Sequence, residues 1–324
     1  MADPAGLPPY ADEWLKAEAQ MGGRFVLKGN VDDIRAQFTG LFAGLAGMLP
    51  PPSDRVSAVD ETVPGGPAVR VYTPVEAAKA GELPIGLYIH SGGFVVGSKE
   101  AEDHIVRDIA QRVPMVLVST DYRLAPENPF PAGLEDCVSA YRWMLENATR
   151  FGARPGPAVI MGGSAGGNLS AAVALKLADE PDVKPRGIVV AAASTVHPDF
   201  IPEEYKSYWH PERVADAALL NREAMMACLD VVGAAPTEPL FSLLLNPELK
   251  KLPRTWLVAS DKDPTHDEML MFADKLQKEG VDSQLTVYEG YPHFFWMLPM
   301  LAKTQEMMDT WAQQLRRMLG TEEA

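Results

Sequence analysis

The stretch "VIMGGSAGGNLS", residues 159–170, decides how this chain is read. An apolar run ends on two glycines and a serine, and a stretch of small residues suited to a helix follows at once. Gly162, Ser164 and Gly166 fit the pattern G-x-S-x-G. That pattern has physical content: the chain turns so sharply that the serine is held in strained backbone geometry, and side chains at the flanking positions would clash. The turn lifts the Ser164 hydroxyl clear of the sheet and sets it at a helix N-terminus, where the dipole favours developing negative charge. A phosphate-binding loop is the competing reading, but there is no Lys-Ser/Thr pair of the P-loop kind and no G-x-G-x-x-G.

The strand and helix around Ser164 belong to a longer alternation. Dense apolar runs at 84–90, 115–120, 158–161, 187–193, 255–259 and 284–288 read as strands buried on both faces. Helix-like stretches at 101–112, 134–151, 165–178, 267–280 and 301–319 separate or follow them. This order predicts an α/β fold with a mostly parallel, doubly wound sheet and helices on both faces. Residues 56–63 and 68–74 alternate like an antiparallel pair.

Two regions stand outside the alternation. Helix-like segments open the chain at about 9–21 and 31–48, and the second places Ile34, Phe38, Leu41, Phe42, Leu45 and Met48 on one face. The proline-rich run 49–53 then breaks the chain. After the strand at 187–193, residues 196–252 delay the next strand, too long an interval for a structureless loop, and read as an inserted helical cap. Its Phe200, Tyr205, Tyr208, Trp209, Met225 and Met226 either form the cap's own core or, taken together, wall an apolar pocket. The expected division is a catalytic core over 51–195 and 253–324, with a cap over 1–50 and 196–252.

Composition narrows the chemistry. The chain has 324 residues, 47% of them hydrophobic and 23% charged, ample for a globular core. Its formal net charge of −15, with no basic cluster, argues against nucleic-acid partners. There is no apolar run long enough to insert in a membrane, and the start of the chain does not resemble a signal peptide. Cys137 and Cys228 are expected as two unpaired thiols, which fits a reducing, cytoplasmic setting. Nothing in the sequence calls for a metal or a cofactor.

A serine nucleophile needs a base, and the base needs an orienting acid. Of six histidines, His293 in "VYEGYPHFFW" follows a strand directly and precedes the last helix, on the same sheet edge as Ser164. His90 and His104 come before the serine, His197 and His210 fall in the insertion, and His266 sits at a helix start where capping accounts for it. For the acid, "DKDPTHDE" offers Asp261, Asp263, Asp267 and Glu268 just past a strand. Asp267 and Glu268 fall in a first helical turn, where carboxylates are common for dipole reasons alone. Asp263, ahead of Pro264, is the better placed, and spacing leaves Asp261 open.

Together, "HSGGF" (90–94), "DYRLAPENPFPA" (121–132), "GGSAGGN" (162–168) and "DPTHDE" (263–268) resemble the hormone-sensitive-lipase-like, type IV branch of the α/β-hydrolases. The resemblance covers nearly all of the chain beyond residue 70. It implies an α/β-hydrolase fold, a triad of Ser164, Asp263 and His293, and an oxyanion hole from the amides of Gly92, Gly93 and Ala165. It implies a cap built from the N-terminal helices and the insertion, no cofactor, and a homodimer through the last strand. Tyr122 and Arg123 are expected to brace the structure. The chain departs from the family pattern at Ser91 for the first glycine of H-G-G-G, at Gly163 for the acidic residue before the nucleophile, and at His266 for an arginine. It also carries Phe294-Phe295-Trp296 after the histidine.

The reading that follows is a serine carboxylesterase acting on a small-molecule ester, small or bulky and aromatic, through an acyl-enzyme. Ser91, Phe94, Gly163, Tyr208, Trp209 and Phe294 are its expected pocket residues. Acyl transfer, lactone opening and amide hydrolysis on the same triad are the alternatives. A hormone receptor of the gibberellin kind shares the fold but lacks the histidine that stands here as His293. Ser91 reads as a substituted glycine beside the oxyanion amides and not as the nucleophile, since it lacks the strand–turn–helix setting of Ser164.

Overall fold

The computed structural model describes residues 9–322 apart from positions 48, 50, 80, 157 and 216, so Met48 and the ends of the expected cap and core lie outside the described residues. The chain starts with α1 (Asp12–Gln20) and α2 (Val31–Ala46). It continues through β1 (Val56–Thr62), β2 (Ala68–Pro74), α3 (Val75–Ala78), β3 (Ile85–Ile89), α4 (Asp103–Arg112) and β4 (Val116–Asp121). Then come α5 (Ala132–Glu146), β5 (Val159–Gly163), α6 (Ala165–Lys176) and β6 (Gly187–Ala191). After a long excursion containing α7 (Arg222–Leu229), the chain closes with β7 (Arg254–Lys262), α8 (His266–Lys278), β8 (Ser283–Pro292) and α9 (Ala302–Leu319).

These strands form one eight-stranded sheet in the order β1-β2-β4-β3-β5-β6-β7-β8. Pairing is antiparallel for β1 with β2 and for β2 with β4, and parallel from β4 through β8. The strand period of two sends successive residues to opposite faces, so each central strand feeds two cores. Leu87, Ile89, Ile160, Val190 and Leu257 pack in one core with Leu134, Tyr141, Leu169, Val173 and Phe272 of α5, α6 and α8. Their neighbours Tyr88, Met161, Val189, Trp256 and Val258 pack in the other with Ile105, Ile109, Trp311 and Leu315 of α4 and α9. Near-continuous apolar runs are therefore required, because neither face of a central strand meets water.

The excursion over 196–252 differs from the helical insertion expected of it. It runs as short 3-10 turns at Pro198–Phe200, Glu203–Tyr208 and Pro211–Val214, with α7 its one α-helix among the described residues. Pro198, Pro202 and Pro211 explain this, since each removes a backbone donor and clashes with the preceding turn of a helix. The segment is tied to the N-terminal region by backbone: Leu27 N donates to Leu219 O and Leu219 N to Phe25 O, each at 2.8 Å.

Helix α2 begins with a reciprocal capping box, in which the Asn30 side chain accepts from Asp33 N and Asp33 accepts from Asn30 N. Its buried face carries Ile34 and Phe38, and Arg35 reaches across to accepting carbonyls of Val95 and Ala125 at 2.8 Å each. Asn30→Ala should cost about 1 kcal/mol of unfolding free energy, read from the urea midpoint at unchanged m-value.

Candidate active site

Four parallel strands end at one edge of the sheet, and each delivers a piece of the site there. Ser164 follows β5 with φ 53° and ψ −124°, a strained conformation held at both ends of the residue. Its N–H donates to Ala191 O at 2.7 Å, and its carbonyl accepts from Asn168 N at 3.1 Å. The turn can close only because Gly166 lacks a side chain: a Cβ there would lie 2.0 Å from Ile89 O and 2.7 Å from His90 O.

His293 and Asp263 are brought together by strand register. Lys262 pairs with Pro292 at the ends of β7 and β8, after an irregularity following Ser260, so the next residue of each strand faces the other. His293 Nδ1 lies 2.6 Å from Asp263 Oδ2, and both side chains are fully buried. Asp263 Oδ1 accepts two more bonds, from the N–H and the hydroxyl of Thr265, each at 2.8 Å. Asp261, left open by spacing, instead accepts Gly290 N at 2.6 Å. Among the described residues the buried His293 Nε2 has no hydrogen-bond partner, the Ser164 hydroxyl included.

The other five histidines have structural partners. His90 stacks on Tyr122 at 4.2 Å and places Nδ1 2.7 Å from Ser91 O. His104 Nε2 lies 3.2 Å from Met297 O, His197 Nδ1 accepts Asp199 N, His210 Nε2 lies 3.1 Å from Ser207 O, and His266 contacts Asp267.

After β3 the loop through Gly92 and Gly93 turns back, with the N–H groups of Val95 and Val96 both donating to Gly92 O at 3.0 Å. Gly92, Gly93, Ser164 and Ala165 line one cavity of about 40 Å³. The residues expected to supply the oxyanion amides, Gly92, Gly93 and Ala165, thus share one cavity with Ser164. Phe94, Met225, Cys228, Leu229 and Phe294 close the cavity. Tyr122 braces the loop by donating its hydroxyl to His90 O at 3.2 Å, and Arg123 holds Asp136 through two bonds of 2.9 Å.

Phe94 and Phe294 therefore stand where the sequence placed them, but Tyr208 and Trp209 do not line this cavity. Tyr208 is 37% exposed with its ring against Tyr205, and Trp209 lies under the Arg222 guanidinium. Cys137 and Cys228 are both free and buried. Ser91 and Gly163 sit behind the cavity wall, where the chain's departures from the family pattern meet. A Cβ on Gly163 would lie 2.9 Å from Trp296 Cζ2 and 3.1 Å from Ser91 Oγ. The Trp296 indole occupies the room that a side chain ahead of the nucleophile would need.

Several supporting residues were missed in the sequence. Arg35 interrupts the apolar face of α2 and so carried a faint signal, Glu102 carried none, and Glu268 was weighed as an acid but set aside as a first-turn carboxylate. Glu268 is fully buried and accepts from Ser194 Oγ, Thr195 N and Val196 N through one oxygen, while the other has no partner. Burial pushes its carboxyl up to about 8 against those bonds. In the N-terminal segment, Glu13 accepts the Tyr291 hydroxyl at 2.7 Å and the amides of Ala302 and Lys303, and Ala11 N donates to Gly290 O at 3.0 Å.

A family model described as the alpha/beta hydrolase fold matches residues 86–297, well over half of the chain. The chain is an alpha/beta hydrolase. The hydrolase is 33% identical over 309 residues to the versiconal hemiacetal acetate esterase of Dothistroma septosporum, covering 94% of this chain and 93% of that one. It is 32% identical over 245 residues to the carboxylesterase NlhH of Mycobacterium tuberculosis, covering 72% and 74%. Among solved structures, vibralactone cyclase superposes with a TM-score of 0.87 at 30% identity, covering 98% of this chain and 97% of that one. The hyperthermophilic esterase of the archaeon Pyrobaculum calidifontis gives 0.82 at 29%, covering 96% and 99%. The hydrolase belongs to the hormone-sensitive-lipase-like, type IV branch and is a carboxylic ester hydrolase. No helix among its described residues is long and apolar enough to cross a membrane.

Two outcomes follow from this geometry. Gly163→Ala should lower kcat about ten-fold. Adding Trp296→Phe, which removes the obstructing benzo ring, should recover most of the loss, a double-mutant-cycle coupling of about 1 kcal/mol or more. Glu268 sets a pH slope on stability. Its folded-state pKa lies above the ordinary 4.5, so the folded chain holds a proton that the unfolded chain releases. That stabilisation is complete below pH 4.5 and lost as pH rises through about 8. Glu268→Gln should flatten this decline in Tm, followed by calorimetry across the same range.

Proposed function

We propose that the hydrolase cleaves short-acyl esters, acetates above all, of bulky aromatic alcohols, through a covalent acyl-enzyme on Ser164. The observation that carries this reading is the small volume at the serine. A cavity needs roughly 10–15 Å³ to hold one water-sized group. The cavity of about 40 Å³ around Ser164 therefore suits the three heavy atoms of an acetyl group and little more. A second cavity of about 790 Å³ shares Phe38 and Val96 with the first and continues past Phe42, His104 and Trp296. Its size and aromatic walls favour a large, flat leaving group. The similarity to a versiconal hemiacetal acetate esterase supports the same division, since that enzyme is named for an acetate ester.

The chemistry assigned to the residues is as follows. His293 Nε2 takes the proton from Ser164 Oγ as the oxygen bonds to the ester carbonyl carbon. Asp263, fixed by Thr265, stabilises the imidazolium that forms and keeps the imidazole in its productive orientation. The carbonyl oxygen, now carrying the negative charge, meets the amides of Gly92, Gly93 and Ala165 in a site poor in water. Collapse breaks the bond to the alcohol oxygen, which leaves with the proton held on His293. Water then repeats the sequence on the acetylated serine, releasing acetate.

Ser164→Ala should abolish hydrolysis of p-nitrophenyl acetate and labelling by a fluorophosphonate, and retention of either overturns the reading. In the same assay, kcat/KM should fall about 100-fold from the acetyl to the hexanoyl ester. Met225→Ala, which enlarges the cavity, should reduce that gap at least several-fold. Equal rates across the series would remove the short-acyl assignment.

A further inference from the structure

Glu102 is a buried carboxylate that the chemistry above does not use. It stands at the start of α4 with 1% of its surface exposed, yet its side chain does not cap the helix. It turns inward instead. Oε1 accepts the Ser91 N–H at 2.7 Å, and Oε2 accepts the Tyr88 hydroxyl. The carbonyl of Ser91 lies against His90 Nδ1 at 2.7 Å. Both backbone groups of the residue just ahead of Gly92 and Gly93 are thereby fixed, and Ser91 cannot rotate without losing a buried bond.

We propose that Glu102 is a positioning residue for ester hydrolysis, anchoring the loop of Gly92 and Gly93 through the Ser91 N–H. This rests on the assignment of Ser164 and His293 made above. Two buried carboxylates then serve one reaction centre: Asp263 at His293 Nδ1, Glu102 at the loop ahead of Gly92 and Gly93.

Glu102→Gln keeps the anchor, because an amide oxygen still accepts the Ser91 N–H, whereas Glu102→Ala removes it. Rates on p-nitrophenyl acetate, with melting temperature recorded alongside, give the test. The expected result for Glu102→Ala is a kcat lowered about ten-fold at a KM within two-fold of wild type. Glu102→Gln should restore kcat to within about three-fold of wild type. If Glu102→Ala fails to fold, Glu102→Met, which refills the volume without an acceptor, takes its place. A kcat unchanged without the anchor, a loss confined to KM, or a Gln variant as slow as the Ala variant overturns the inference. Ser164→Ala run in parallel keeps the two conclusions apart: activity in that variant would defeat the nucleophile assignment, whatever Glu102→Gln shows.

Discussion

The rest of the site depends on one close approach, between the backbone of Gly166 and the carbonyls of Ile89 and His90. It joins the strand that presents the serine to the strand that presents the oxyanion loop, with less room between them than a methyl group needs. Because the contact is backbone to backbone, it cannot relax by a change of rotamer. It fixes the spacing between the turn that carries Ser164 and the loop that carries Gly92 and Gly93. Everything else, from the Tyr122 brace to the Glu102 anchor, stiffens a spacing already set by that contact.

The same logic explains the chain's unusual residues. Ser91, Gly163 and Trp296 depart separately from the family pattern in sequence, but in space they are neighbours around one small volume. Filling that volume with an indole leaves no room for an acid next to the nucleophile. The change is therefore best regarded as a single exchange of contents, polar for aromatic, made at three positions. Trp296 also packs edge-on to His293 at 5.7 Å and Phe294 does so at 4.2 Å, and the two aromatics lie 5.7 Å from each other, so the fully buried His293 sits beside an aromatic pair.

Much of this was legible beforehand, for identifiable reasons. The parallel sheet was visible because strands buried on both faces must be apolar throughout. The serine elbow was visible because its glycines answer to hard sterics. Spacing left both Asp261 and Asp263 open, and the register of β7 and β8 is what sets Asp263 against His293. What stayed hidden depended on contacts between residues far apart in sequence. Tyr208 and Trp209 looked like pocket walls because they are aromatic, yet proline-broken turns carry them to a flank of the insertion. Glu268 looked like an ordinary first-turn carboxylate and Glu102 drew no notice, and only their burial sets them apart.

The bonds made by Ala11 and Glu13 link roof and floor. The N-terminal segment grips Gly290 and Tyr291, the residues just ahead of the catalytic histidine, and the start of α9 beyond it. The same segment is stitched at Phe25 and Leu27 to the excursion that roofs the cavity. The roof of the cavity and the loop that carries His293 are therefore not independent parts: one stretch of chain, running from Ala11 to Leu27, is bonded to both.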